Sequence, residues 1–349
     1  MQKMEIDATF LLNNLKTGIG AYLNTLFKVL KINKQEYDIL DFKLPKFIKY
    51  KYLFYILWLN TINYIRIHIK KPDIIFNPSF MTPCLTRKAT KYITVIHDLA
   101  AFRTGEMTKY ESFIYKTAIL STIKHANTIV TVSETVKQEL INKFNLTPSR
   151  IKVVYNSVAD YFKSFDDNTA ILEKNGLRKE KYILSVATLN KRKNIPELIK
   201  AFESISDKYS DLKLVLVGGM GNEQRKKLTA HPNIIFMGYI KDEEIPILYK
   251  HALLYVFPSI YEGFGTPLIE AQYSHCPVLC SNIPVFREIV GQSADFCEPN
   301  AKNIAEKIEY LINSSERRNE LIKLGIENVK RFDIEKISEQ LKEVISCNG

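Results

Sequence analysis

Two successive series of short apolar runs, each run followed by a longer amphipathic stretch, organise the 349-residue sequence. In the first series, residues 6–12, 73–76, 93–96, 128–132 and 151–155 read as strands. Helical stretches at 21–30 and 112–124, and a helix capped by Ser133 and running to Phe144, separate them. In the second series, strands at 182–187, 212–217, 234–236, 253–257 and 278–280 alternate with helices at 195–208, 223–228, 242–250 and 267–274. Helices at 301–313, 315–332 and 334–346 close the chain. Strands that alternate with helices imply parallel sheets covered on both faces. The expected fold is therefore α/β with two doubly wound domains, and the polar stretch 157–168 is the candidate linker. A chain of this length, 46% hydrophobic, has material for two cores.

The charge is unevenly divided. Residues 1–160 hold 23 Lys and Arg against 12 Asp and Glu, whereas residues 161–349 hold 26 of each, so the net +11 lies wholly in the first half. Such asymmetry points to an acidic partner for that half alone. Lys43, Lys46, Lys49 and Lys51 lie among Phe47, Tyr50, Tyr52, Phe54, Tyr55 and Trp58, with Arg66, Lys70 and Lys71 beyond. Cations beside aromatics are what an anionic bilayer surface selects, and a solvated basic face over a core helix is the plainer alternative. No nucleic-acid recognition motif is visible. No apolar run is long enough to span a bilayer and no signal peptide is evident, so the expected location is cytoplasmic, peripheral on the inner membrane's cytoplasmic face. Cys84, Cys276, Cys280, Cys297 and Cys347 contain no CxxC pair and read as free thiols.

Four segments carry the chemistry. The most specific is Glu262-Gly263-Phe264-Gly265-Thr266-Pro267-Leu268-Ile269-Glu270, which follows a strand and opens a helix. Its glycines let the backbone pass close to a ligand, Pro267 suits a first helical turn, and the N–H groups there favour an anion. Glu262 and Glu270 then address one ligand at two depths. The second segment, Lys191-Arg192-Lys193, sits at the carboxyl end of a strand, where fixed cations suit a diphosphate. The third is Gly18-Ile19-Gly20 before the first helix, and the fourth is His97-Asp98 at the end of a strand. Taken singly, these three have bland readings as a solvated charged loop, a common turn and a structural histidine.

Together they resemble the family 4 glycosyltransferases, whose E-x7-E motif sits in a stretch that Pro258, Ser259, Glu262, Gly263, Phe264, Gly265, Pro267, Glu270 and Ala271 match. Thr188, Leu189, Arg192, Lys193 and Asn194 match a second family segment, with Ala187 replacing its glycine, and Gly18–Gly20 match a third, with Ala21 replacing its arginine. The resemblance implies a GT-B fold: Rossmann-like domains over 1–160 (acceptor) and 161–330 (nucleotide sugar) facing a central cleft, with residues 331–349 crossing back to the first.

The resemblance also implies a retaining transferase that moves a hexose, with a lean towards mannose. The donor would be a nucleotide-diphosphate sugar and the acceptor a saccharide or a lipid-diphosphate-linked saccharide, in bacterial surface polysaccharide or O-antigen assembly. Glu262, His97, Lys193 and Arg192 take the catalytic roles. Gly18, Gly20, Gly263, Phe264, Gly265, Thr266, Glu270, Tyr239 and Ile240 hold the donor, with Asp98 on the acceptor side. No cofactor and no metal are expected, because fixed cations do that work. A nucleotide-sugar epimerase or hydrolase on the same fold is the alternative, and a scaffold without catalysis stands behind it.

Overall fold

A computed structural model describes residues 3–9, 18–40, 51–103, 107–188, 190–219 and 231–346. The chain divides into two compact units, one of Met1–Ser157 with Asp333–Gly349 and one of Val158–Phe332.

In the first unit β1 (Met4–Asp7), β2 (Tyr37–Leu40), β3 (Ile74–Asn77), β4 (Lys91–Ile96), β5 (Thr128–Thr131) and β6 (Ile151–Val153) form one sheet. Its order is β2-β1-β3-β4-β5-β6 and every pairing is parallel. The helices are α1 (Gly18–Ile32), α2 (Lys51–Asn60), α3 (Ile62–Lys70), α4 (Lys109–His125) and α5 (Glu134–Phe144). Local signals set several of their ends. Thr108 and Glu111 form a reciprocal capping box that starts α4. The Ser133 side chain accepts from Val136 N–H at the start of α5, and Asn145 closes that helix in the left-handed conformation. The last helix returns to this unit: Ser338 donates to Asn33 at 3.0 Å, and Gln340 accepts from Tyr155 N–H at 3.1 Å.

The second unit repeats the pattern with β7 (Tyr182–Val186), β8 (Lys213–Val217), β9 (Ile234–Gly238), β10 (Leu254–Phe257), β11 (Val278–Ser281) and β12 (Asp295–Cys297). Their order is β12-β11-β10-β7-β8-β9, again wholly parallel. Its helices are α6 (Ala170–Lys174), α7 (Ile195–Ser206), α8 (Ile245–His251), α9 (Thr266–Tyr273), α10 (Pro284–Val290), α11 (Ala301–Asn313) and α12 (Ser315–Val329); α13 (Ile334–Ser346) is the helix that returns to the first unit. One core cluster joins Ile183, Leu214, Val256 and Leu279 of the strands to Leu198, Phe202, Ile304 and Ile308 of α7 and α11. The chain winds outward from β7 through β8 to β9, then restarts on the other side of β7 with β10. The sheet's winding therefore reverses between β7 and β10, where doubly wound folds bind ligands.

Several expectations change. Gly18 and Gly20 lie inside the first turn of α1 instead of in a turn ahead of it, because the helix begins three residues earlier than its apolar pattern. The strand expected over 6–12 is β1, and residues 10–12 lie outside the described residues, as do the helix expected over 223–228, Thr17, Leu189, Lys43, Lys46, Phe47, Lys49, Tyr50 and Cys347. Tyr55 and Trp58, read as interfacial aromatics, are core residues packed with Leu59, Met81 and Ala118. Arg66 is held by a two-pronged ion pair with the buried Glu5. Cys84, Cys276, Cys280 and Cys297 are free thiols.

Candidate functional site

The reversal between β7 and β10 brings two loops together from residues far apart in the chain. The loop after β7 turns tightly: Asn190 Oδ1 accepts from Lys193 N–H at 3.2 Å, and Asn194 sits at φ +56°, a conformation asparagine tolerates. The loop after β10 runs from Pro258 to Gly265. A backbone hydrogen bond locks the two, Ile260 N–H to Arg192 C=O at 2.8 Å.

This lock puts Lys193 against Glu262. The Lys193 ammonium donates to Glu262 Oε1 at 2.5 Å, and Arg192 stands 4.0 Å from Oε2. The side chains of Lys193 and Glu262 retain only 12% and 9% exposure, so this is a charge pair in a mostly desolvated place. Lys193 also lies 4.8 Å from the centre of the Phe257 ring, a cation–π contact that further fixes its position.

Gly265 starts α9 at φ +101°, and a Cβ there would stand 2.8 Å from the Phe286 ring. Only glycine suits that position. Phe264 turns inward and meets Phe332 edge-on at 5.6 Å, so its ring is core and only its backbone borders the loop. Glu270 lies one turn into α9, where Tyr249 donates to Oε2 at 3.4 Å. Desolvation, with Asp242 adding to it, pushes the Glu270 carboxyl up to about 7, although the residue keeps part of its surface accessible.

Beside these loops, at the carboxyl ends of β7, β8 and β9, is a cavity of about 130 Å³. Ser185, Ala187, Gly218, Gly219, Phe236 and Tyr239 line it. The Ser185 hydroxyl is buried and has no hydrogen-bond partner among the described residues. A Cβ on Gly218, at φ +133°, would fall 2.2 Å from the Ala187 carbonyl oxygen. Tyr239 is exposed at the rim and Ile240 beside it is half-buried.

In the first unit His97 follows β4. Its Nε2 lies 2.8 Å from the Pro78 carbonyl oxygen. A carbonyl only accepts, so this partner assigns the hydrogen to Nε2 and leaves the Nδ1 lone pair available. Burial holds the imidazole below its usual range, hence neutral. Tyr22 of α1 meets the ring edge-on at 5.1 Å. Asp98 Oδ1 accepts from Ala100 N–H at 2.9 Å and so shapes the turn after the histidine.

Within the second unit the structure thus gathers Arg192, Lys193 and Glu262 and holds Gly263, Gly265, Thr266 and Glu270 on the same loop and helix. Within the first it places Gly20, Tyr22 and His97 on neighbouring elements. Sequence reasoning missed Asn190, Ser185, Gly219 and Tyr249. The pair Gly218-Gly219 at the carboxyl end of a parallel strand was the available signal; a single buried serine offers none.

Comparison with known proteins places the chain in a family. Residues 167–328 match the family described as "Glycosyl transferases group 1", and residues 29–160 match "Glycosyltransferase Family 4". The chain is similar to O-antigen chain mannosyltransferase B of Escherichia coli, 30% identical over 283 residues, 77% of this chain and 73% of that one. It is also similar to O-antigen chain mannosyltransferase RfbU of Salmonella typhimurium, 31% identical over 252 residues, 68% of this chain and 66% of the other. Among solved structures, Anabaena Alr3699/HepE in complex with UDP-glucose superposes with a TM-score of 0.76 over 99% of this chain and all of that one, at 17% identity, a likeness of fold.

Proposed function

This chain belongs to the family 4 glycosyltransferases, enzymes of the GT-B fold, and from that premise we propose that it transfers a hexose from a nucleotide-diphosphate sugar with retention of anomeric configuration. The observation that carries the proposal is the Lys193–Glu262 pair, with Arg192 beside it, at the winding reversal of the second sheet.

Breaking the sugar–phosphate bond leaves negative charge on a diphosphate. Arg192 and Lys193 supply fixed cations for that charge, and fixed charges need no reorganisation as the bond breaks. The proposed reaction therefore requires no metal. Lys193 leaves Glu262 for the diphosphate when the donor binds, which frees a carboxylate to accept hydrogen bonds from sugar hydroxyls. Glu270 receives the ribose hydroxyls, and the cavity behind Gly218 and Gly219 takes the base. His97, neutral and with its Nδ1 lone pair available, accepts from a sugar hydroxyl. In the retaining course proposed here the acceptor hydroxyl attacks from the face the diphosphate leaves, and a departing phosphate oxygen takes its proton. Asp98 belongs to the acceptor side.

The two mannosyltransferase relatives favour mannose as the sugar and an O-antigen chain as acceptor, and a lipid-diphosphate carrier for that chain is part of our proposal. The basic first unit fits such an acceptor and a docking site on the cytoplasmic face of an inner membrane. A donor panel resolved by mass spectrometry, with a lipid-diphosphate-linked saccharide, tests the reading: a product heavier by one hexose supports it, and consumption of donor without such a product rejects it.

A further inference from the structure

Exposed large apolar side chains are concentrated in the unit that carries the positive charge. Among the described residues, Leu53, Phe54 and Leu57 of α2 and Ile62, Ile65 and Ile69 of α3 all face outward. The three isoleucines are 62%, 60% and 75% exposed. Their spacing of three and then four residues puts them on one face of α3, while Asn63 and Ile67 turn into the unit. Helices α2 and α3 pack on one another, and Thr61 alone joins them. Isolated exposed isoleucines are ordinary; a row of three on one helix beside three more on its neighbour is not.

The charge carried by this stretch of the sequence argues for one occupant. Residues 42–72 contain seven cations, Lys43, Lys46, Lys49, Lys51, Arg66, Lys70 and Lys71, and no Asp or Glu. Arg66 is engaged by Glu5, whereas Lys70 and Lys71 stand exposed at the end of α3. A second copy docked through the same face would set like charges against each other with no carboxylate in the stretch to answer them. A nucleic acid would leave the isoleucines in water. An anionic bilayer answers both features, since headgroups meet lysines and acyl chains meet isoleucines. At nine residues α3 is about 14 Å long, well short of a bilayer's hydrocarbon thickness of about 30 Å, so it lies in the interface and does not span it.

We propose that the α2–α3 pair is a membrane-insertion face, on which Ile62, Ile65 and Ile69 enter the acyl boundary of an anionic bilayer while Lys70 and Lys71 hold its headgroups. The inference rests on the reading that the enzyme serves a lipid-linked acceptor, and it adds an apolar, salt-resistant part to an attachment that charge alone would leave salt-sensitive.

Co-sedimentation of the full chain with vesicles tests it, using phosphatidylcholine alone and an equimolar mixture with phosphatidylglycerol, at low and high salt. The parent should pellet with the mixed vesicles and keep part of that binding in high salt. Ile62→Ser/Ile65→Ser/Ile69→Ser should lose the salt-resistant part and lower partitioning at least about tenfold. The corresponding triple leucine variant should bind as the parent does. Ile65→Gln, a milder change, should fall between them with an unaltered far-ultraviolet circular dichroism spectrum. Equal binding by parent and triple serine variant, parental binding abolished by salt, or a parental dimer that the serine variant dissolves would each overturn the proposal. Transfer to a soluble saccharide acceptor by the serine variant should match the parent; a parent that transfers to no acceptor at all would sink the enzymatic reading instead.

Discussion

The Lys193 ammonium and the Glu262 carboxylate, 69 residues apart in sequence, share a hydrogen bond of 2.5 Å at the point where the second sheet reverses its winding. Each is the other's partner, so the ligand-free site keeps two opposite charges paired where both side chains are mostly buried.

Removing one member exposes the cost of that arrangement. Lys193→Ala leaves Glu262 with Arg192 at 4.0 Å as its nearest ion-pair partner here. It should lower kcat at least about a hundredfold, through lost stabilisation of the diphosphate. The same change should cost about 1–3 kcal/mol of stability in thermal unfolding, the cost of leaving a mostly buried polar group without its partner. Glu262→Gln should cost less stability, because the glutamine Oε1 can still accept a hydrogen bond from the Lys193 ammonium. The double variant should be non-additive by about 1 kcal/mol or more. Additive effects within error would mean that the two side chains act independently.

Glu270 predicts a pH dependence in two observables. Its carboxyl is raised from an ordinary 4.5 to about 7, so the native state keeps a proton that the unfolded chain releases. Stability of the ligand-free enzyme should therefore fall as pH rises from about 4.5 to about 7 and level off above. In the role proposed for Glu270, donor binding runs the other way, because the ionised carboxylate is the better acceptor for ribose hydroxyls: kcat/KM for the donor should climb through the same range. Glu270→Gln should flatten both profiles. A parental profile that Glu270→Gln leaves unchanged would assign the titration to another group.

Two neighbouring glycines should separate folding from binding. Gly218→Ala sets a Cβ 2.2 Å from the Ala187 carbonyl oxygen at φ +133° and should lower the melting temperature by the equivalent of about 2 kcal/mol or more. Gly219→Ala meets the Tyr239 hydroxyl at 2.5 Å. Tyr239 is exposed and can swing aside, so stability should change by under about 0.5 kcal/mol. Donor KM should rise because the cavity narrows. Equal melting shifts for the two would contradict the assigned cavity.

Metal chelation tests the role given to fixed cations. With Arg192 and Lys193 opposing the diphosphate, EDTA should leave the rate within about twofold of the untreated enzyme, less than the loss from removing one fixed donor. A full loss restored by Mn²⁺ would transfer that role to a metal.

Much of the second unit was legible in sequence because its signals are local. Gly263, Gly265 and Pro267 mark a turn and a helix start, and Lys191-Arg192-Lys193 ends a strand pattern. The pairing of Lys193 with Glu262 was not legible, since it depends on which strands are neighbours. The α2–α3 region was opaque for another reason. Isoleucines at 62, 65 and 69 fit a helical period while those at 65, 67 and 69 fit a strand period, so the pattern alone does not choose between them. The same ambiguity made Tyr55 and Trp58 read as interfacial when they are core. β2 escaped notice because this edge strand is half exposed and offers no apolar run.

The stereochemical course of the reaction tests the central claim most directly. Nuclear magnetic resonance of the product formed from a nucleotide-diphospho-α-hexose and a lipid-diphosphate-linked saccharide reports the new anomeric centre. The account predicts an α-linked hexose on the acceptor, with free nucleoside diphosphate released in equal amount and no β-linked product. A β-linkage, or a donor converted to free hexose or to its epimer with the acceptor unchanged, would contradict it.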